Sequence, residues 1–83
     1  MEGLKLSTSE LVKQIFQSAL NLDDDFELDD SMRFEGVPGW DSLGHLRIVM
    51  EIESAINSSL EMEEIIPLDT VQKIRDLVES RTP

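Results

Sequence analysis

No cysteine occurs in the chain, which removes a disulfide framework, a thiolate zinc site and a cysteine nucleophile. Basic residues are scarce: 7 Lys and Arg stand against 18 Asp and Glu, a net charge of -11. That balance repels nucleic acid and anionic membrane surfaces, so partners with basic faces are the natural expectation, unless the charge serves solubility alone. Long hydrophobic runs are missing too. None approaches the roughly 20 apolar residues of a membrane span, and Met1-Glu2-Gly3-Leu4-Lys5-Leu6 lacks the basic region and apolar core of a secretory leader. A cytoplasmic monomer without membrane or nucleic-acid partners is the expectation. Internal repeats, low-complexity tracts and alternating strand patterns are also absent.

What is present suffices for one small core. With 83 residues and 40% hydrophobic content, the chain reads as a single folded domain spanning residues 1–83. Ser7-Thr8-Ser9-Glu10 matches a capping box, and Leu11, Val12, Ile15, Phe16, Ala19 and Leu20 follow at helical spacing. A first helix starts there. From Asn21 to Asp41 the pattern dissolves into an acidic loop, with Phe26, Leu28, Met32, Phe34 and Val37 available to pin it to the helices. A helical turn over Leu28 to Arg33 is allowed but not demanded. The aspartates invite a calcium reading, yet an EF-hand register from Asp25 puts Asp30 where glycine is required and Gly36 where the bidentate glutamate is required. A solvated acidic face accounts for them better.

The loop ends abruptly at Pro38-Gly39, and Asp41 has the side-chain oxygen that can accept the free N–H of Leu43 or Gly44. Asp41 thus reads as the N-cap of a second helix running from Ser42 to about Asn57. Ser42 falls in its first turn, with its hydroxyl outside the helical ladder and at the positive end of the dipole. That helix carries two apolar stripes. Ile48, Ile52, Ala55 and Ile56, with Val49 and His45 at the margin, share one side, while Leu43, Leu46 and Met50 share nearly the opposite one. One stripe faces the core; the other is either clamped by neighbours or exposed as a docking patch beside Ser42. Glu61 to Ile66, before Pro67, has room for a short third helix. Asp69 as N-cap, with Val71, Ile74, Leu77 and Val78 at helical spacing, predicts a last helix ending near Ser80. The fold class is all-α, a small four-helix bundle of three main helices and one short one, with a long loop between the first and second.

Asp41, Ser42 and His45 suggest a hydrolase, but a nucleophile elbow also needs its first glycine, a strand leading into the turn and an oxyanion hole, and the chain offers none of these. His45 reads as a packing residue at the core margin and Trp40 as an anchor for the loop end. Gly44 lowers helix propensity by about 1 kcal/mol relative to alanine. Its expected value lies in keeping the backbone near Ser42 accessible, or it is a tolerated neutral glycine.

Asp41-Ser42-Leu43 at the head of an acidic amphipathic helix resembles the attachment site of acyl carrier proteins, and Leu46 to Glu53 and Leu68-Asp69-Thr70-Val71-Gln72 extend the likeness over nearly the whole chain. The resemblance implies 4′-phosphopantetheine, taken from coenzyme A, on Ser42, with Asp41 and Leu43 as its flanking residues. It also implies a phosphopantetheinyl transferase, and acyl ligase, acyltransferase or synthase enzymes with basic docking faces. The chain itself would then hold acyl groups as thioesters without being an enzyme. Peptidyl carriers commonly show Gly-Gly-His-Ser where Asp41 precedes Ser42 here, so an acyl cargo is favoured, with an aminoacyl or peptidyl carrier, or an unmodified acidic adaptor, as alternatives. Trp40 to Leu46 is more similar to discrete carriers of specialised polyketide or hybrid pathways, and Arg47 stands where the housekeeping fatty-acid carrier usually has an acid. Leu43, Leu46 and Met50, rimmed by Arg47, Glu51 and Glu53, are the expected partner-binding surface.

Overall fold

The computed structural model describes residues 7–81, so the reading of Met1 to Leu6 lies outside the described residues. Four helices follow one another: α1 (Thr8–Leu20), α2 (Ser42–Ile56), α3 (Met62–Ile65) and α4 (Val71–Arg81). Each start and stop has a local cause. Ser7 Oγ accepts the Glu10 N–H at 3.2 Å and caps α1. α1 ends at Asn21 and α2 at Asn57, both left-handed, at φ 58° and 57° respectively. Asparagine tolerates that conformation because its short polar side chain bonds locally.

The core forms where α1 packs on α2 and α4 and α2 meets α4. α1 contributes Val12, Ile15, Phe16 and Ala19, α2 contributes Ile48, Val49 and Ile52, and α4 contributes Val71, Ile74 and Val78. The connections add Val37, Trp40, Leu60 and Leu68. Leu11 and Leu20 are half-buried at the edge of the α1 stripe. Ala55, read on the core stripe of α2, is exposed, while Ile56 beside it stays half-buried against the core. Trp40 and Phe16 meet edge to face at 5.0 Å and 80°, a geometry worth about 0.5–1.5 kcal/mol beyond the area buried.

The long loop contains no helix, but it is sewn to the bundle. Phe26, Leu28, Met32 and Phe34 are half-buried against the core, and the Gln17 side-chain amide reaches the carbonyls of Asp23 and Asp24 at 3.4 and 3.5 Å. Further along, Arg33 and Thr70 form an antiparallel bridge, with Phe34 N–H on the Asp69 carbonyl at 2.9 Å. The carbonyls of Met32 and Asp30 accept Val71 N–H and Gln72 N–H at 2.9 and 3.2 Å. These are unsatisfied donors of the first turn of α4, so the loop completes the helix start. This corrects the expected cap. Thr70, not Asp69, caps α4, its Oγ1 accepting Lys73 N–H at 3.1 Å. The bridge to Arg33 holds Thr70 in place for that bond, while the Asp69 carboxylate turns to Lys73 at 3.0 Å and Arg33 at 3.6 Å. The Lys73 hydrogen bond, aided by the charges of Lys73 and Arg33 and opposed by desolvation, holds the Asp69 carboxyl below its ordinary range.

Candidate functional site

The turn that leads into α2 is tightly closed. Trp40 N–H bonds the Val37 carbonyl and Glu35 N–H bonds the Trp40 carbonyl, both at 2.9 Å, and Gly39 takes φ 83°, which glycine adopts without strain. The indole, 1% exposed, anchors this turn in the core. Asp41 is then extended, at φ -115° and ψ -164°, and its Oδ1 accepts Gly44 N–H at 2.9 Å. Its carbonyl accepts His45 N–H at 2.7 Å, the first bond of the helix. Asp41 is therefore the N-cap the sequence predicts, with its carboxylate committed to the backbone.

Ser42 is the first residue of α2 and is exposed. Among the described residues its hydroxyl makes no hydrogen bond. Several other serines are engaged: Ser7 caps α1, Ser9 accepts from Arg75, Ser18 donates to Glu51, Ser31 bonds Asp29 and Ser80 donates to the Leu77 carbonyl. An anion joined to Ser42 would lie at the positive end of a helix of 15 residues.

Gly44 departs from expectation. It is buried, and a β-carbon there would lie 2.0 Å from the Gly39 carbonyl oxygen and 2.8 Å from Leu20 Cδ2. Its role is to let the first turn of α2 nest against the loop end and α1. Access for an enzyme is not what the glycine provides. Nor do Asp41, Ser42 and His45 form a relay. The Asp41 side chain is held by Gly44, and His45 Nδ1 accepts Trp40 Nε1–H at 3.0 Å.

His45 is half-buried, stacked on the indole at 6.2 Å and 16°, with Phe34 edge-on at 5.8 Å. Its ring also walls an apolar cleft of about 280 Å³ with Phe34, Ile65, Ile66 and Leu68, and Asp69 at the rim. Sequence reading missed this cleft. Ile65-Ile66 before Pro67 was the available signal, an apolar pair on a helix too short to bury both: Ile65 is half-buried and Ile66 is 72% exposed.

The second stripe of α2 is exposed. Leu43, Leu46 and Met50 are 59%, 58% and 65% accessible, and Arg47, on the same face, is exposed and in no ion pair among the described residues. The two acids of the expected rim have partners inside the domain. Glu51 is half-buried and accepts the Ser18 hydroxyl at 3.3 Å, and Glu53 is half-buried and accepts Leu60 N–H at 2.9 Å. Both carboxylates thus serve contacts within the domain.

Compared with known families, the chain matches the model of the phosphopantetheine attachment site over residues 10–79. It belongs to that family. Searches of curated proteins and of solved structures returned no match. A member of the phosphopantetheine attachment site family is a carrier domain: it bears a covalent 4′-phosphopantetheine and works with phosphopantetheinyl transferases and synthase enzymes. Among the described residues no helix is long and apolar enough to cross a membrane.

Proposed function

We propose that Ser42 carries the 4′-phosphopantetheine arm and that the arm's thiol holds acyl groups as thioesters for partner enzymes. The carrying observation is the Ser42 hydroxyl, exposed and unbonded among the described residues, at the start of a long helix whose cap is supplied by its neighbour. In the transfer, Ser42 Oγ would release its proton and form a phosphodiester with the pantetheine half of coenzyme A, the pyrophosphate bond would break, and the nucleotide half would leave with its phosphates. The new phosphate keeps a negative charge where the free N–H groups of α2 favour one. The whole chain acts as one carrier domain, cytoplasmic and monomeric, and the chemistry on the cargo belongs to the partners.

An acyl cargo is favoured over an aminoacyl one. The cleft walled by Phe34, His45, Ile65, Ile66 and Leu68 begins one turn from Ser42 and suits a hydrocarbon segment, whereas a charged ammonium would gain little there. Specialised polyketide or hybrid pathways are the favoured setting, and Leu43, Leu46, Arg47 and Met50 form the proposed docking face, bordered by Glu51 and Glu53, whose carboxylates are engaged with Ser18 and Leu60. The reading is tested by loading the protein with a medium-chain acyl-pantetheine and, separately, an aminoacyl-pantetheine. Chemical-shift changes at Phe34, Ile65 and Ile66 are expected with the first and not the second. Equal changes with both, or none with the acyl form, would reject the acyl preference.

A further inference from the structure

Trp40 and His45 are the sole tryptophan and histidine of the chain, and they are bonded to each other. The indole is buried, at 1% exposure, so its Nε1–H depends on the acceptor 3.0 Å away, His45 Nδ1. An imidazole nitrogen accepts only while it carries no proton. The indole belongs to the residue whose backbone closes the turn with Glu35 and Val37 and whose neighbour, Asp41, caps α2. The bond therefore joins the turn before Ser42 to the first turn of the helix after it.

We propose that His45 is a proton-sensitive latch on the start of α2. Neutral, it holds the indole N–H and fixes the turn that presents Ser42. Protonated at Nδ1, it sets a second donor against the first, and the indole loses its partner. The charged groups around it are few. From the loop, Arg33 and Glu35 flank Phe34, which packs on the ring. The connection into α4 brings Asp69 to the cleft rim, where Lys73 and Arg33 hold it. α3 brings Glu64 beside Ile65, paired with Arg81. On the side of α2 itself lies Asp41, engaged with Gly44. Asp41, Asp69 and Glu64 are already bonded elsewhere and Glu35 is exposed, and among the described residues the buried indole N–H has its bond to His45 Nδ1. The latch stands on the Trp40–His45 geometry alone; its consequence for arm loading rests on the proposed role of Ser42.

The single tryptophan and single histidine make the test direct. In the full chain, labelled with nitrogen-15, the indole N–H resonance and the His45 ring are followed as the pH is lowered from about 8 until the ring has taken up its proton. The two are expected to move with one midpoint, while His45→Asn, which keeps an acceptor oxygen and takes no proton in this range, leaves the indole resonance flat. An indole resonance that stays fixed while the ring titrates overturns the latch, as does a His45→Asn variant that titrates like wild type. If His45→Asn does not fold, the wild-type titration decides alone. For the consequence, the loading rate of wild type relative to His45→Asn by one transferase should fall several-fold toward the acid end; a constant ratio overturns it. Ser42→Ala should retain the indole titration, so a failure of the attachment reading leaves the latch separately testable.

Discussion

Gly44 illustrates what a single missing methyl group decides. Alanine there gains about 1 kcal/mol of helix propensity but puts a β-carbon 2.0 Å from the Gly39 carbonyl oxygen. The clash outweighs the propensity, and Gly44→Ala should destabilise the domain by about 1–3 kcal/mol, measurable by urea titration. A gain in stability would mean that the start of α2 is looser than described. The same contrast governs what was legible. Asp41 as a cap and Ser42 in the first turn could be read because the bond runs three residues along one strand of sequence. Gly44 could not, since its partners, Gly39 and Leu20, come together only through the turn and the docking of α1. Thr70 was misread for Asp69 for the same reason, because the bridge that favours it involves Arg33, far back in the loop.

At the scale of elements, helical periodicity located α1, α2 and α4 and their core faces, since each buries one stripe. It left the second stripe of α2 undecided, because two apolar faces on one helix look alike until the neighbours are placed. The acidic loop was legible as a loop with apolar anchors, but its service to the first turn of α4 was not, being a matter of backbone carbonyls. A proposal follows for Arg47. As an exposed cation without an ion pair among the described residues, it would favour a partner offering an acid and repel one offering arginines. Arg47→Glu should impair loading by the cognate enzyme and improve loading by a housekeeping fatty-acid partner, while Leu46→Ala weakens both by roughly tenfold or less, the range of one lost apolar contact. Unchanged rates in both variants, with the fold retained, would remove this face from docking.

For the whole molecule, charge is the dominant variable. A net charge of -11 repels itself in the compact state, and a few hundred millimolar salt shortens the reach of that repulsion to well under about 10 Å. The melting temperature should rise with salt; a flat response would deny self-repulsion a significant part. Acid acts through particular groups. The Asp29 carboxyl is held below its ordinary range by the Ser31 hydroxyl and backbone N–H, and Asp69 chiefly by Lys73. A depressed folded value means stability that is present above the ordinary 3.8 and lost as pH falls through the folded value. Asp69→Asn should therefore melt lower than wild type near neutrality and converge with it in acid, and a difference independent of pH would assign Asp69 a purely steric role. Everything else in the carrier reading depends on one atom, the Ser42 Oγ. The intact mass of the full chain and of Ser42→Ala, each incubated with coenzyme A and a broad-specificity phosphopantetheinyl transferase, tests it most directly. Wild type should gain one arm and Ser42→Ala none while keeping its helical circular dichroism; a variant that still gains the arm, or a wild type that gains nothing, would contradict the account.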